Sequence, residues 1–230
     1  MDFLIARMPI YCERLGSSFF GEPLNLFTNL FYVGYALLAQ RVLNKAPVAH
    51  RGLLRFLVVM VAIIGIGSAA FHAVPNPFTL LADVVPIYAF LLPALVLLLK
   101  RLTNTWSYAI SLAVAFACLL VLASVYVPPY FLNGSIRHVI MFVGLTGLVY
   151  WCSQKYGRLA LQLVPVLGLY ALAITARSVD RQVCSAMPIG THFLWHTLNS
   201  LALLLFIAFL IRLDTQSPAK TYDVLLSARA

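Results

Sequence analysis

Charged side chains are scarce in this sequence of 230 residues. Asp, Glu, Lys and Arg make up 10% of the chain, whereas apolar residues make up 62%. Soluble domains usually have about 25% charged and about 45–50% apolar residues. A soluble fold of this size has too little interior to bury so many apolar side chains. The composition therefore excludes a soluble globular protein and predicts a chain whose solvent is lipid.

Several other sequence patterns are missing as well. The 16 Lys and Arg residues form no basic run, so the formal charge of +9 does not indicate nucleic-acid binding. The four cysteines include no CxxC pair and no regular spacing. The polar opening, residues 1–23, lacks the apolar core of a signal peptide. We therefore expect the first hydrophobic segment to remain in the mature protein.

Apolar segments long enough to cross a membrane as helices, roughly 20 residues each, fill most of the chain. Proline and glycine residues separate several of them. The predicted spans are 24–40, 53–72, 79–99, 106–127, 135–152, 159–176 and 189–211. The sequence therefore predicts an all-α integral membrane bundle of seven transmembrane helices, formed by residues 1–230 as a single domain.

The distribution of positive charge predicts the orientation of this bundle. Of the 16 Lys and Arg residues, five fall at one predicted end and eleven at the other. Cytoplasmic loops carry the excess of these residues, so we expect the C-terminus to be cytoplasmic. An odd number of spans then places the N-terminus outside. Short loops and the lack of a retention signal fit a bacterial inner membrane as well as an internal eukaryotic membrane, and the short termini favour the bacterial one.

Five polar residues are predicted to lie at one depth, near the outer end of the bundle. Ser68 and His72 end the second span, and His192 and His196 begin the seventh. Residues four apart lie on the same face of a helix, so each pair points in one direction. Asp83 lies near the outer start of the third span. Three helices therefore direct five polar side chains to one level.

This set of residue types is suited to binding a metal. Ionisable side chains inside lipid are costly and usually face the bundle interior. Three protein ligands with an open fourth position are typical of catalytic zinc sites. We predict that His72, His192 and His196 bind zinc and that Asp83 acts as a general base or as a partner of a ligand. For each residue alone, packing or helix-to-helix hydrogen bonding is the simpler role.

Two further polar residues have simpler interpretations. His138 lies near the outer end of the fifth span, where packing is favoured over a peripheral place in the site. Asp180 lies beside Arg177 and Arg181, which predicts a local ion pair.

Four stretches of the sequence carry a resemblance to a known family. They are YCERLGSSFFGEPLNLFTN at 11–29, GSAAFH at 67–72, SVDRQVC at 178–184 and HFLWH at 192–196. Together with Asp83, eleven residues after His72, they resemble the alkaline ceramidase family. This family belongs to a superfamily of seven-helix membrane hydrolases that includes adiponectin-receptor-like proteins. The resemblance spans nearly the whole chain, and the N-terminal stretch favours ceramidases over receptors.

The resemblance implies a function for the predicted metal site. The protein would be a zinc-dependent amidase that cleaves ceramide-like N-acyl sphingolipids to a fatty acid and a sphingoid base. Asp83 would move protons, and Ser68 would donate a hydrogen bond to the oxyanion. The lipid substrate would be its partner, and no obligate protein partner is evident. The alternatives are a lipid-binding receptor or signalling protein of the same superfamily with little turnover, and a transporter or metal-handling protein.

The resemblance also implies a calcium site in the N-terminal segment. Glu13, Glu22 and Asn25 match ligand positions of the family. Ile10 and Leu15 stand where the family pattern has side-chain oxygen ligands, and calcium prefers six to eight oxygens. The alternative, in which the two glutamates hold the segment by hydrogen bonds, stays equally open.

Two of the cysteines lie in segments that carry the resemblance. Cys12 and Cys184 both fall on the predicted outer side, where oxidising conditions permit a disulfide. Such a bridge would join the N-terminal segment to the loop before the seventh span. Cys118 and Cys152 are expected to be small packing residues.

Overall fold

The structure is a computed structural model that describes residues 11–14, 16, 18–128 and 131–216. Ile10 and Leu15 lie outside the described residues. Every regular element among the described residues is helical. The α-helices are α1 (Pro23–Thr28), α2 (Leu30–Lys45), α3 (Arg51–Ala73), α4 (Pro77–Thr103), α5 (Trp106–Tyr126), α6 (Ile136–Tyr156), α7 (Val164–Val179) and α8 (His192–Thr215).

The first predicted span, 24–40, is divided in the structure into α1 and α2, and α2 continues to Lys45. The break falls at Asn29, whose side-chain Nδ2 donates to the Asn25 carbonyl at 2.7 Å. The Asn29 carbonyl accepts from Tyr32 three residues later, at 3.2 Å. A side chain that bonds to nearby backbone competes with the regular helical ladder. Apolar patterning alone does not reveal such a break.

Proline has opposite effects on two other predicted spans. The sixth span was expected to begin at residue 159, but α7 begins at Val164, after the 3₁₀ segment Gly157–Leu163. Proline follows Val164 in the first turn of α7, where its missing N–H costs little. By contrast, α4 continues through Pro86 and Pro93 and is longer than predicted. Its start is fixed by Asn76, whose side chain accepts two backbone N–H groups.

The helices from α2 to α8 form a ring. Each packs against the next in chain order, and α8 returns to pack against α2. Helices α3 and α8 also contact each other, and α1 packs against both. Two glycines bring α3 close to its neighbours. A Cβ at Gly67 would lie 2.0 Å from the Ala82 carbonyl oxygen, and one at Gly65 would lie 2.6 Å from Tyr32 Cβ.

The composition of the helices indicates an integral membrane protein. In the described part of the chain, five helical stretches are long and apolar enough to cross a membrane. Four are α3, α4, α5 and α8, and the fifth is the stretch Ile136–Gln182, which contains α6 and α7. The span count of seven, the outward N-terminus and the bacterial inner membrane remain predictions.

A buried carboxylate fixes the far end of the bundle, where α8 ends. Asp214 accepts hydrogen bonds from the backbone N–H and from Nδ1 of His50, each at 2.7 Å. It also contacts the Arg101 guanidinium. These contacts join the loop after α2, the end of α4 and the end of α8. The start of α8, about 33 Å away at 1.5 Å per residue, carries the candidate site.

Candidate active site

Three histidines from two helices converge at the predicted outer end of the bundle. His72 lies in the last turn of α3, and His192 and His196 lie in the first turns of α8. All three side chains are buried. A potential ligand atom from each lies within 4.8 Å of those of the other two. The spacing of four residues on α8 and the contact of α3 with α8 together produce this arrangement.

Hydrogen bonds fix which nitrogen of His72 is free. Its Nδ1 lies 2.5 Å from a carboxylate oxygen of Glu22, so Nδ1 carries the proton and donates it. The lone pair on Nε2 is then available to a metal. A carboxylate that accepts from the far nitrogen of a histidine is the usual outer partner of a metal ligand.

Thr28 determines which nitrogen of His196 is free, as Glu22 does for His72. The Thr28 hydroxyl donates its proton to the Leu24 carbonyl at 2.7 Å. Its oxygen, 3.1 Å from His196 Nδ1, is therefore the acceptor of the Nδ1 proton. His196 Nε2 is left with a lone pair, and it is buried without a hydrogen-bond partner among the described residues.

The ring of His192, the third histidine, is held by stacking on Tyr11. The His192 ring lies 3.5 Å from the Tyr11 ring, centroid to centroid, at an angle of 11°. Its Nδ1 is likewise buried and unpaired within the described ranges. A buried polar atom without a partner requires an explanation, and an ion is one. Three imidazoles, each with a free nitrogen, are a suitable donor set for zinc.

Asp180 caps the helix that carries two of these histidines. Its Oδ1 accepts from the backbone N–H groups of Thr191, at 2.7 Å, and His192, at 2.9 Å. Its Oδ2 accepts from Cys12 N at 3.0 Å. A carboxylate at a helix N-terminus satisfies free N–H groups and complements the helix dipole. Gly190 permits the approach, since a Cβ there would lie 2.1 Å from Oδ1.

The predicted ion pair of Asp180 with Arg177 or Arg181 is wrong. No salt bridge joins them in the part of the chain that the structure describes, because backbone N–H groups occupy the Asp180 oxygens. Arg177 instead donates from Nη1 to the Tyr11 hydroxyl at 2.8 Å. Its guanidinium lies 5.6 Å from the Tyr11 ring centroid and 5.5 Å from that of Trp195, within cation–π range.

A small polar cavity adjoins the histidines. Its volume is about 40 Å³, which is on the order of a few waters. Ser68 and Asp83 line it together with His192 and His196. The structure thus brings all five residues of the predicted cluster to one place. Arg137 and Arg177 also line this cavity, and they add positive charge that the sequence did not indicate.

A larger apolar cavity of about 260 Å³ lies next to the polar one. The two share the lining residues Ile87, His138, Met141 and Trp195. His138, for which packing was favoured, both packs on the Trp195 ring at 4.5 Å and lines the two cavities. Along α8 the lining runs from Trp195 to Phe206, which corresponds to about 16 Å of helix. This space has the shape and polarity to hold an alkyl chain.

The residues expected to bind calcium are engaged in hydrogen bonds. The two carboxylate oxygens of Glu13 accept from Leu24 N at 2.6 Å and Asn25 N at 2.8 Å. Glu22 contacts His72, Arg14 and the Asn25 amide nitrogen. Of these three residues, Asn25 has an oxygen, Oδ1, that is buried without a partner among the described residues, as is Oδ1 of nearby Asn29. Calcium prefers six to eight oxygens, so these contacts favour the hydrogen-bonding alternative.

The two glutamates have different electrostatic environments. Burial raises the pKa of Glu13, and the two backbone N–H groups that it accepts offset this only in part. Burial would also raise the pKa of Glu22, but hydrogen bonds from His72 and Asn25 and the charge of Arg14 lower it below its usual range. Glu22 is therefore held as a carboxylate.

A disulfide fixes the N-terminal segment over the start of α8. Cys12 and Cys184 are bonded, with their Cα atoms 5.2 Å apart. Cys12 directly follows Tyr11, which stacks on His192. Cys118 is free and exposed, and Cys152 is free and buried.

Sequence reasoning did not find the roles of Tyr11, Thr28 and Arg14. Each of these residues contacts one of the three histidines. The hydrogen-bonded pairs, Arg14 with His72 and Thr28 with His196, are 58 and 168 residues apart along the chain. The only signal was that all three lie in the N-terminal stretch that carries the family resemblance. No residue spacing within that stretch indicates which histidine each side chain meets.

The described residues define a class of protein: an all-helical membrane protein with three buried histidines that could hold a metal ion, beside a polar and an apolar cavity. The chain belongs to the ceramidase family, because the family model described as Ceramidase matches residues 11–227. This match confirms the resemblance seen in the sequence. No curated protein matches the chain. Membership of the family implies a hydrolase that acts on the amide bond of ceramide, and thus a lipid substrate.

Proposed function

We propose that this protein is a zinc-dependent amidase of the alkaline ceramidase type. It cleaves ceramide-like N-acyl sphingolipids into a fatty acid and a sphingoid base. The observation that carries the proposal is the buried triad of His72, His192 and His196, next to a cavity lined by Ser68 and Asp83. In a chain of the ceramidase family, this arrangement supplies both a metal-ligand set and candidate acid–base groups. The family match gives no support to the receptor alternative.

The three histidines would hold the zinc ion through their free nitrogens. Zinc in such a site supplies Lewis acidity to the amide carbonyl and lowers the pKa of water. Glu22 and Thr28 keep the ligand nitrogens of His72 and His196 unprotonated by accepting the proton on the opposite nitrogen. Tyr11 stacks on His192 and closes the outer face of that ring.

Asp83 is the proposed proton carrier. It lies on α4 and lines the polar cavity, so a water and the scissile amide can both reach its carboxylate. Asp83 takes a proton from the attacking water as the new C–O bond forms. It then delivers this proton to the amide nitrogen as the C–N bond breaks, because an unprotonated amine is a poor leaving group. The products are a carboxylic acid and a sphingoid amine.

Positive charge and a hydroxyl group stabilise the oxyanion. Ser68 donates a hydrogen bond to the oxygen of the former carbonyl, where negative charge develops. Arg137 and Arg177, which line the same cavity, add fixed positive charge. In a buried site these charges are poorly screened and act strongly.

The apolar cavity is the proposed binding site for one alkyl chain of the substrate. It shares a wall with the polar cavity, so an amide at the histidines can extend its chain along α8. Lipid tails in the bilayer are already in an apolar medium, so this cavity gains little from the hydrophobic effect. It selects chains by shape and length.

Lipid hydrolysis with purified protein tests the proposal. The wild type and a His192→Ala, His196→Ala double variant would be incubated in detergent with a panel of N-acyl sphingoid lipids. Mass spectrometry would detect the released sphingoid base, and metal content would be measured on both proteins. We expect release by the wild type alone, with zinc lost from the variant. Bound zinc without release from any lipid would contradict the proposal and favour the receptor alternative.

A further inference from the structure

Arg14 connects the N-terminal segment to His72, one of the three proposed metal ligands. Its Nε contacts the Glu22 carboxylate. Its Nη2 donates to the carbonyl oxygen of His72 at 2.6 Å, and its Nη1 donates to the Gly16 carbonyl at 3.3 Å. The Arg14 side chain is 15% exposed and that of Glu22 only 3%. One guanidinium therefore binds three oxygens from separate parts of the chain.

Two of these oxygens determine the position of His72. The Glu22 carboxylate accepts the Nδ1 proton of His72 and so orients its ring. The His72 carbonyl lies in the last turn of α3, where helical carbonyls lack partners inside the helix. A cation at a helix C-terminus satisfies such carbonyls and complements the helix dipole. Arg14 therefore holds the backbone of this ligand directly and its ring through Glu22.

Arg14 also supplies the countercharge that Glu22 requires. A buried carboxylate is strongly unfavourable unless a cation or several hydrogen bonds compensate it. The other two partners of Glu22 are the His72 ring and the Asn25 amide, and neither carries a permanent charge. The planar guanidinium fits such a group of oxygens because its five N–H donors are fixed in a fork.

We propose that Arg14 is a positioning residue of the metal centre, a built-in cation that stands in place of calcium in the N-terminal segment. Zinc retention by the histidines then depends on Arg14 and is independent of calcium. In the described part of the segment, the oxygens of Glu13 are engaged by backbone N–H groups, and Glu22 is in contact with the guanidinium. The buried oxygens left without a partner there are the side-chain oxygens of Asn25 and Asn29, which are too few for the six to eight that calcium prefers. This inference rests on the proposed zinc site, but not on lipid hydrolysis.

Measurement of zinc affinity in the absence of substrate tests the proposal. The variants are Arg14→Gln, which removes the charge, and Arg14→Lys, which keeps it. Arg181→Gln is the matched control, since Arg181 is exposed and lies on the same predicted side of the membrane. Metal-free protein would be titrated with zinc against a chromophoric chelator. Thermal unfolding would be followed with added calcium chloride and with a calcium-selective chelator.

We expect Arg14→Gln to weaken zinc binding about tenfold, the lower end of the effect of removing an outer partner of a ligand. Arg14→Lys should lose less zinc affinity, and the zinc affinity of Arg181→Gln should equal that of the wild type. Calcium should leave the unfolding temperature and zinc affinity of the wild type unchanged.

Either of two results would overturn the proposal. One is a saturable rise in the wild-type unfolding temperature with calcium, reversed by the chelator, because it would show a real calcium site. The other is unchanged zinc affinity in folded Arg14→Lys and Arg14→Gln proteins. A protein that retains zinc but releases no sphingoid base would contradict the proposed enzyme and leave this inference standing.

Discussion

The carboxylate of Glu22 lies 2.5 Å from Nδ1 of His72, fifty residues further along the chain. This contact makes the N-terminal segment a part of the proposed metal centre. It selects the tautomer in which His72 Nε2 can bind a metal. Glu22 matched a calcium-ligand position in the sequence, and the structure pairs it with a ligand of the other proposed metal.

Replacing Glu22 by Gln should weaken zinc binding about 10- to 100-fold, the usual cost of removing an outer partner of a metal ligand. An amide is a weaker acceptor than a carboxylate and can present its NH₂ group to His72. Zinc titration of the metal-free protein would measure this change. Glu13→Gln is the control, because Glu13 accepts only from backbone N–H groups in the same segment. Equal affinities for the two variants would contradict the orienting role of Glu22.

Asp83→Asn should lower kcat about 10²- to 10⁴-fold while zinc stays bound, because an amide does not carry the proton. The substitution keeps the shape of the side chain in the polar cavity. The measurement combines kcat for sphingoid-base release with metal analysis of the same sample. Near-normal turnover by the zinc-loaded variant would exclude Asp83 as the base.

Ser68→Ala should lower kcat by a smaller factor, about 10²- to 10³-fold, as expected for the loss of one oxyanion donor. KM should change little, since the hydrogen bond forms mainly in the transition state. Steady-state kinetics with one lipid substrate would separate the two parameters. A rise in KM with kcat unchanged would place Ser68 in substrate binding instead.

Ala202→Phe should shift the preference of the enzyme toward lipids with shorter chains. Ala202 lines the apolar cavity about 9 Å beyond His196, at 1.5 Å per residue along α8. A larger side chain there would shorten the space without touching the polar cavity. Turnover of a series of acyl lengths would reveal the shift, with Ala115→Phe as a control at an exposed position of α5. The same length profile in both variants would show that the chain lies elsewhere.

Gly67→Ala should disrupt the contact of α3 with α4 beside the site. The added Cβ would lie 2.0 Å from the Ala82 carbonyl oxygen, so the backbones must separate. Overpacking of this kind costs about 1–3 kcal/mol, and more where backbone must move. Gly147→Ala is the matched control, since nothing lies within 4 Å of its Cβ position. Thermal unfolding and zinc content should fall in the first variant only.

Removing the disulfide with a Cys12→Ser, Cys184→Ser pair should destabilise the folded protein by about 2–5 kcal/mol. The disulfide joins residues that are 172 apart along the chain and holds Tyr11 against His192. A lower unfolding temperature and weaker zinc retention are the expected readouts. Cys118→Ser is the control, because this cysteine is free and exposed. An unchanged zinc affinity would show that the segment stays in place without its bridge.

The sequence predicted those parts of the site that depend on spacing within a helix. Ser68 with His72, and His192 with His196, lie on shared faces because a turn of helix has a fixed length. The common depth of these residues followed from the alternation of spans. The start of α7 at Val164 and the break at Asn29 were missed, because they depend on proline placement and on one local side-chain hydrogen bond.

Contacts between distant parts of the chain were not predictable in this way. The sequence predicts an ion pair of Asp180 with Arg177 or Arg181, its neighbours along the chain. In the structure, its oxygens accept hydrogen bonds from the backbone N–H groups of Cys12, Thr191 and His192. The orienting bonds of Glu22 and Thr28 likewise cross 50 and 168 residues. Patterns of residue type record which side chains are polar and where they lie along a helix. They do not predict which loop packs against the end of which helix.

The ligand set draws His72 from α3 and the other two histidines from α8, the last helix of the described chain. During synthesis, the first ligand enters the membrane long before the other two exist. If these histidines hold the proposed zinc, the metal can bind with all three ligands only after α8 has entered the membrane. A partly inserted chain would then lack two of the three proposed ligands and could not attack the lipids of the membrane in which it is being built.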